Sequence, residues 1–481
     1  MNDLYQLERS TPESQGVKSE AILEFIREAE KIRTADMGQD FHSFMLIRHG
    51  YVIAEGWWEP YKSESPHVLF SLSKSFTSTA IGFAVQEGLL SVEDTVISYF
   101  KEECPEPCPN LSKMRIKHLL SMNTGHVVDT TEFFYRREDG NWVKAFLGVP
   151  VEKEPGTHFL YNTGATYMLS VILQKITGEK LIDYLQPRLF KPLAISGATW
   201  ETCPMGYNTG GFGLRVKTED IAKFGQMYLS KGKVNGKQLL REEWIKEATG
   251  IHSDNSANGP GDWGQGYGYQ FWRCRHNAYR GDGAFGQYCI VMPEMDAVLA
   301  ITGGMKDLQK PLEIVWDKLL PGFTEYALPE SEDYERLKNK LASLRLLLPE
   351  GQKKSSMESS IQGKSYRMES NPFKIEEISF SFASESISIS MIEDGQKHVY
   401  MVGIGHWNMS TYNLEGNPEP VASTGSWEDD TTLIFKGSLL QMPFASNYRI
   451  QFKGDELLLE QKLNVGFEEP QPVCIKGYAI H

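Results

Sequence analysis

A serine and a lysine lie three positions apart at Ser71 and Lys74, at the start of a long run of apolar and small residues. If this segment is helical, the two side chains lie on one face, about one turn apart. The amine would then be within reach of a hydroxyl that is a weak nucleophile at neutral pH without a base. The pair predicts acyl transfer through a serine ester, with no metal and no cofactor.

The same spacing of serine and lysine recurs at Ser98 and at Ser230. Prolines soon after Ser98 would interrupt a helix, and glycines after Ser230 indicate a turn. Only Ser71 is followed by a long apolar helix, predicted from Ser75 to about Gly88. The positive end of its dipole would favour an oxyanion near Ser71. The alternative interpretation of Ser71 is a helix-capping serine followed by an exposed lysine.

Composition places the chain among ordinary globular proteins. It has 481 residues, 41% of them hydrophobic and 23% charged, and a net charge of −14. This acidic balance argues against a broad surface for nucleic acid or anionic membrane. The first ten residues lack the basic start and apolar core of an export signal, and no stretch approaches the ~20 apolar residues of a membrane span. We expect a cytoplasmic protein that acts on a small molecule and binds neither nucleic acid nor membrane.

The six cysteines are too few for a disulfide scaffold in a chain of this length. Cys104 and Cys108 have a spacing that could hold a metal ion. A second Cys/His pair at zinc-finger spacing is missing, so ordinary thiols in a proline-rich loop are the better interpretation. We therefore predict no metal site.

The hydrophobic pattern changes twice along the first 320 residues. Alternation around a His-Gly turn predicts a β-hairpin over 41–55, and residues 70 to 250 are mostly helical segments separated by Gly and Pro. A closing helix is predicted over 311–320. Further strands are predicted before it, at 266–273, 285–292 and 297–302. This order predicts an α+β fold, an antiparallel sheet flanked by terminal helices with an all-α subdomain inserted between its strands.

The pattern changes again after about residue 330. A charged helix over 333–348 and a linker-like stretch precede several short segments that alternate with period two. They predict a separate all-β domain, either a sandwich or a barrel. The predicted domains are a hydrolase domain 1–328, a helical linker 329–361 and an all-β accessory domain 362–481. Packing, homo-oligomerisation and limiting access to the site are the roles left open for the accessory domain.

Several ordered segments together carry a family resemblance. The spacing of Ser71 and Lys74 is that of the S-x-x-K signature of serine β-lactamases and penicillin-binding proteins. The segment 156–169 resembles the tyrosine motif of class C β-lactamases and the related D-alanyl-D-alanine carboxypeptidases and esterases. Other segments of similar type are 119–126, 189–195 and 210–225. The resemblance covers roughly residues 10 to 320, and it implies a β-lactamase-like fold and a serine hydrolase.

By this resemblance Tyr161 is the tyrosine that, beside a lysine, can ionise and carry a proton between the nucleophile and the leaving group. The third position of its motif is Thr163, where the family has an asparagine that hydrogen-bonds a substrate amide. This departure puts β-lactam and amide recognition in doubt more than catalysis. The same letters recur at Tyr207, but Tyr161 precedes a predicted helix and fits the family order.

The third family motif, a cationic triad that ends in glycine on an inner strand, corresponds by position to Gly281, Asp282 and Gly283. The cation is absent from its usual place, although Arg280 is adjacent. With Thr163, the triad residues are the predicted substrate-binding residues. The amides of Ala284 and Ser71 are the oxyanion hole that the resemblance implies. Loss of the cation argues against a carboxylate-bearing substrate such as a penicillin.

We therefore predict a serine hydrolase that acts through an acyl-enzyme on an ester or small amide, with Ser71, Lys74 and Tyr161 as catalytic residues. The alternative is a binding or sensor protein on the same fold that traps its ligand covalently or does not react. The missing cation and Thr163 are the features that favour this alternative.

Overall fold

Two β-structures organise the chain, one formed by residues up to 304 and the other by residues from 365 onward. The structure is a computed structural model, and it describes residues 5–32, 39–104, 109–414 and 416–480. Cys108, half of the cysteine pair considered above, lies outside the described residues.

The first β-structure is a seven-stranded sheet with two smaller sheets beside it. The strands up to residue 304 are β1 Glu8–Arg9, β2 Asp40–Arg48, β3 Tyr51–Trp57, β4 His67–Val68, β5 Thr199–Trp200, β6 Leu214–Val216, β7 Lys233–Val234, β8 Lys237–Gln238, β9 Trp272–Arg273, β10 Tyr279–Gly283, β11 Gln287–Met292 and β12 Ala297–Gly304. The large sheet has the order β1-β3-β2-β12-β11-β10-β9 and is antiparallel except for β1 beside β3. This confirms the predicted antiparallel sheet and its first hairpin.

Helices cover both faces of the large sheet. The α-helices of the described residues, in chain order, are α1 Ser19–Lys31, α2 Ser73–Gln86, α3 Pro109–Lys113, α4 Ile116–Leu120, α5 Trp142–Gly148, α6 Thr163–Thr177, α7 Leu181–Leu185, α8 Thr218–Leu229, α9 Glu242–Thr249, α10 Gln309–Ile314, α11 Glu332–Ala342 and α12 Glu358–Ile361. Phe44 and Leu46 of β2 pack into the core with α1 and α10, whereas Met45 and Ile47 pack into the core with α2 and α8. Successive side chains on a strand point to opposite faces, so a strand buried on both sides is apolar throughout.

The region inserted between β3 and β9 is mostly helical, as predicted, and also contains the small sheets β4-β6-β5 and β7-β8. The strand predicted over 266–273 is reduced to β9. The residues before β9 fold back instead, since Tyr267 N–H bonds Ser253 O and Tyr269 N–H bonds Ala248 O. β10 was not among the strands predicted from alternation, because Gly281 and Gly283 interrupt the apolar pattern, but the family resemblance places this segment on an inner strand.

The second β-structure is a closed barrel. Its strands are β13 Ser365–Met368, β14 Ile375–Phe382, β15 Ser386–Glu393, β16 Gln396–Ile404, β17 Asn408–Leu414, β18 Asn417–Asp429, β19 Thr432–Leu439, β20 Ala445–Lys453, β21 Glu456–Leu463 and β22 Val473–Ala479. They pair in the order β16-β15-β14-β13-β22-β21-β20-β19-β18-β17, and a parallel pairing of β16 with β18 closes a ring of nine strands. Of the two predicted forms, sandwich and barrel, the structure has the barrel.

The barrel packs against the first sheet through apolar and charged contacts. Leu440 is buried in the same core as α1 and β2. Lys436 Nζ lies 3.1 Å from Asp40 Oδ2, with both side chains almost completely buried, and Arg215 pairs with Glu419 at 2.5 Å. Removing one partner of a buried ion pair is strongly destabilising, because the remaining charge stays buried without compensation.

None of the helices in the described part of the chain combines the length and the apolar character that crossing a membrane requires.

Candidate active site

Ser71 lies in a single 3₁₀ turn, Phe70–Leu72, that leads directly into α2. Lys74 is the second residue of α2. The helix begins two residues earlier than the predicted Ser75 and ends two residues before Gly88. Residues 73 to 84 are all buried, because α2 runs between the large sheet and α6. A helix with so little exposed surface holds its first turn, and with it the lysine, in a fixed position.

Ser71 and Lys74 are in hydrogen-bond contact. Lys74 Nζ lies 2.8 Å from Ser71 Oγ and 2.9 Å from Gly211 O, and the lysine side chain is 1% exposed. Burial lowers the pKa of Lys74 to about 7, although the carboxylates of Asp129 and Asp282 raise it. A large fraction of Lys74 is therefore uncharged at neutral pH, which a general base requires.

Burial distinguishes this pair from the two other serine–lysine pairs. Lys101 and Lys233 are both exposed. Ser98 donates to Thr95 O in a short 3₁₀ turn, and Ser230 follows the end of α8. The structure thus places only Ser71 beside a lysine that is buried.

The structure brings Tyr161 to the same place. Its ring centroid is 4.8 Å from Lys74 Nζ, and the ring stacks on Trp272 at 5.3 Å. Burial raises the pKa of Tyr161, against a smaller lowering by its hydrogen bond with Ser71. The phenol is therefore protonated at neutral pH, so the uncharged base at this site is Lys74. Tyr207 lies elsewhere, in the turn after β5.

Thr163 begins α6 and lies against Gly211, whose carbonyl binds Lys74. A Cβ on Gly211 would be 2.8 Å from Thr163 Cγ2, so only glycine fits there. The preceding Asn162 is the N-cap of α6, and its Oδ1 accepts hydrogen bonds from Gly164 N–H and Thr130 N–H. Asn162 fixes the start of α6, and thereby the position of Tyr161.

Gly281 and Gly283 allow the segment that carries Ser71 to pack closely against β10. A Cβ on Gly283 would lie 2.0 Å from Leu69 O, and one on Gly281 would lie 2.5 Å from both Leu72 Cδ1 and Ser75 Oγ. The structure gives these glycines a packing role, and contact with substrate stays a prediction for them. Close approach of a backbone is a common reason for glycine in a strand.

Asp282 lies on β10 with its carboxylate bonded to Arg280 Nε at 2.7 Å. Burial raises the pKa of Asp282, and the charges of Arg280 and Lys74 lower it. Arg280 is completely buried, and its guanidinium lies 4.5 Å from the ring centroid of Trp263 and 5.6 Å from that of Trp272. The cation next to the site is therefore paired within the protein.

The two residues predicted to form the oxyanion hole each adjoin a phenylalanine in the left-handed region. Phe70 precedes Ser71 with a φ of 45°, and Phe285 follows Ala284 with a φ of 66°. Bulky residues rarely adopt positive φ, and such strain is concentrated at functional sites. The two rings pack edge to face at 5.3 Å, which helps to hold both backbones.

The barrel contributes two further rings to this cluster. Phe444 lies 5.4 Å and Phe467 5.0 Å from Phe285, and both lie 6.2 Å from Phe70. Phe467 is nevertheless 82% exposed. These aromatic side chains border the nucleophile from a part of the chain more than 370 residues away. The sequence carries no local signal that would have placed them there.

Comparison with known proteins agrees with this fold. Residues 42–303 match the Beta-lactamase family. The 6-aminohexanoate-dimer hydrolase of Paenarthrobacter ureafaciens is 23% identical over 277 residues, which are 53% of this chain and 71% of that enzyme. Two other curated relatives are aligned over 66% and 52% of their own lengths.

Solved structures of the same fold cover either the first part or nearly all of the chain. EstCE1, a hydrolase with promiscuous acyltransferase activity, aligns with a TM-score of 0.52 and 17% identity over 61% of this chain and 98% of its own. The octameric penicillin-binding protein homologue from Pyrococcus abyssi aligns with a TM-score of 0.50 and 16% identity over 95% of this chain and 99% of its own. With more than half of its length matched, the chain belongs to the Beta-lactamase family of serine hydrolases.

Proposed function

We propose that the protein hydrolyses a neutral ester or small amide through an acyl-enzyme on Ser71. Uncharged Lys74 accepts the proton of the Ser71 hydroxyl as its oxygen attacks the carbonyl carbon. The carbonyl oxygen becomes an oxyanion, which the amides of Ser71 and Ala284 stabilise. The protonated Lys74 then supplies the proton that leaves with the alcohol or amine, and water releases the acyl group in the second half-reaction.

In this scheme the hydroxyl of Tyr161 carries the proton from Lys74 to the leaving group. Its burial keeps it protonated in the free enzyme, so it can act as a donor as soon as the carbon–oxygen or carbon–nitrogen bond breaks. Lys74, which lies over its ring, restores the proton. The supporting observations are the contact of Lys74 with the tyrosine ring and the hydrogen bond of the phenol with Ser71.

The charges around the site favour a neutral substrate. Arg280 is neutralised by Asp282, and Asp129 adds a further negative charge that acts on Lys74. A substrate carboxylate would meet two acids and no unpaired cation other than Lys74 itself among the described residues near the site. A cytoplasmic location, which we also propose, would keep the enzyme away from peptidoglycan and agrees with an ester or small amide.

The observation that carries this proposal is the buried contact of Lys74 Nζ with Ser71 Oγ. A fluorophosphonate probe should label the protein at Ser71, and Ser71→Ala should abolish labelling and the turnover of p-nitrophenyl acetate. Ser78→Ala is the matched control, because Ser78 is buried on the same helix and its hydroxyl has no hydrogen-bond partner in the described structure. Labelling that survives Ser71→Ala would refute the proposal. Labelling at Ser71 without steady turnover would favour the covalently trapped binding protein.

We also propose that the predicted domains 1–328, 329–361 and 362–481 are folding units and that copies of the chain associate through the barrel. The octameric assembly named for the Pyrococcus abyssi homologue supports association, since that protein aligns with both parts of this chain. Size-exclusion chromatography with light scattering would measure the mass of the assembly. A monomer at all concentrations would contradict the association.

A further inference from the structure

The interior of the barrel is packed at one end and hollow at the other. At the packed end, large side chains fill the lumen, among them Phe380, Trp427 and Phe452. At the other end a cavity of about 360 Å³ remains. Barrels of about eight strands can be filled by their own side chains or can hold one small ligand, so the hollow end has the volume of a ligand site.

The wall of the cavity combines apolar side chains with hydroxyl and amide groups. Leucine, valine and phenylalanine side chains line one part, and Tyr400, Tyr412, Tyr448 and Gln461 line another. The hydrogen bonds that reach Tyr448 are long: Gln461 Nε2 lies 3.4 Å and Tyr400 Oη 3.5 Å from Tyr448 Oη. Groups held this loosely can bond a ligand without losing a strong internal partner.

The electrostatics of the cavity favour an uncharged ligand. Glu393 is the one acidic residue among the described residues that line the cavity, and Tyr412 donates to Glu393 at 2.8 Å. Burial raises the pKa of Glu393. No lysine or arginine lines the cavity among the described residues. An anion would therefore find neither a lysine nor an arginine as a counter-charge among these lining residues.

Gly437 keeps the cavity open on β19. A Cβ added there would meet only Ser423 Oγ and the ring of Tyr400, both no closer than 3.6 Å. The hydroxyl of Ser423 is buried and has no hydrogen-bond partner in the described parts of the chain.

The hollow end of the barrel faces the hydrolase. Met442 and Phe444, from the loop after β19, line the cavity, and Gln441 O of the same loop accepts a hydrogen bond from Val68 N–H at 2.9 Å. Val68 is three residues before Ser71. Phe444 also packs against Phe285, so one side chain borders both the cavity and the candidate active site.

We propose that the hollow end of the barrel is a second binding site, for a neutral and mostly apolar small molecule with a hydrogen-bonding group. Its apolar part would lie against the leucine and phenylalanine side chains, and its polar group would bond Tyr448 or Gln461. This site does not depend on the proposed hydrolysis, because it is formed entirely by the barrel.

Titration of the full chain with N-phenyl-naphthylamine, a neutral fluorescent molecule with one N–H group, tests the proposal. We expect saturable binding of one molecule per chain. Gly437→Leu should fill the cavity and raise the Kd by about tenfold or more. Leu463→Trp should also raise the Kd, by blocking the mouth of the cavity. Leu463 is 37% exposed there, so a larger side chain leaves the core undisturbed. Circular dichroism checks that each variant is folded.

Leu458→Trp is the matched control, because Leu458 lies on the same strand with its side chain on the outer face. It should keep the affinity of the unmodified chain. Anilinonaphthalene sulfonate, which adds a negative charge to similar rings, should bind about tenfold or more weakly. Absence of saturable binding, equal affinity in the folded cavity-filling variants, or equal affinity for the anionic probe would each overturn the proposal.

Discussion

The two interiors of this molecule bury polar groups in opposite ways. Around Ser71, the ionisable groups of Lys74, Arg280 and Asp282 are buried, closely packed and in direct contact or paired. The barrel instead buries mainly tyrosines and one glutamate around an open volume of about 360 Å³. The first arrangement lowers the pKa of Lys74 to about 7. The second leaves neutral polar groups available to hydrogen-bond a small molecule.

The difference separates chemistry from recognition. A base needs a fixed position and a pKa near the working pH, and dense packing provides both. A binding cavity needs space and polar groups that are only loosely held. Substitutions around Ser71 should therefore change kcat, and substitutions in the phenylalanine cluster contributed by the barrel should change KM. The following substitutions test this separation.

The largest effect is expected from Lys74→Met, which keeps the volume of the side chain but removes the base. Turnover of p-nitrophenyl acetate should fall by about 10³-fold or more, since nucleophile and base act as a unit. Steady-state kinetics on the folded variant measures the loss. Lys223→Met is the control, because Lys223 is also a nearly buried lysine and pairs with Glu219 away from Ser71. Equal losses in both variants would show a structural effect instead.

A smaller loss is expected from Tyr161→Phe, which removes only the hydroxyl that relays the proton. Removal of a general acid–base group costs about 10²- to 10⁴-fold in turnover. The loss should be greatest for esters with poor leaving groups, such as ethyl esters, because these need the proton most. Tyr228→Phe, which removes a buried hydroxyl bonded to Thr79, should stay within about twofold of the original rate. A uniform loss for all leaving groups would contradict the relay.

The barrel side of the comparison is tested by Phe467→Ala. This exposed ring packs against Phe70 and Phe285, and loss of such aromatic contacts costs about 0.5–1.5 kcal/mol. The KM for an aryl ester should rise about three- to tenfold, with kcat nearly unchanged. Tyr326→Ala removes an aromatic ring that is 74% exposed and outside the cluster, and it should leave KM unchanged. A fall in kcat with constant KM would break the proposed separation.

The smallest effect is expected from Asp129→Asn. The carboxylate of Asp129 raises the pKa of Lys74, so its neutralisation should lower that pKa. The acidic limb of the rate profile should move to lower pH by roughly a few tenths of a unit, as expected for a single partly solvated charge. Asparagine can still cap the following turn, which Asp129 caps through Thr131 N–H. A shift to higher pH would contradict the electrostatic account.

Much of the first fold and its site could be predicted, because the relevant signals are local or ordered along the chain. The hairpin of β2 and β3 follows from period-two alternation, and the serine–lysine spacing and the segment at Tyr161 carry the family pattern. β10 was indicated by the family resemblance alone and not by alternation, because its glycines are explained by the close approach of Leu69 and Leu72. That contact joins segments more than 200 residues apart.

The strands of the barrel could be predicted from the sequence. The closure of the barrel and its contacts with the candidate active site could not. Alternation indicates each strand, but closure depends on the parallel pairing of β16 with β18, which no local pattern encodes. The contacts of Phe444 and Phe467 with Phe70 and Phe285 depend on docking between distant segments. The aromatic border of the candidate site is therefore the part that the sequence did not reveal.

The pH dependence of fluorophosphonate labelling at Ser71 tests the central claim most directly, because it measures the first chemical step alone. If Lys74 with a pKa of about 7 is the base, the labelling rate rises about tenfold per pH unit below pH 7 and becomes constant above it. A rate that keeps rising toward the pKa of an ordinary lysine, about 10.4, or that does not change across this range, would contradict the account.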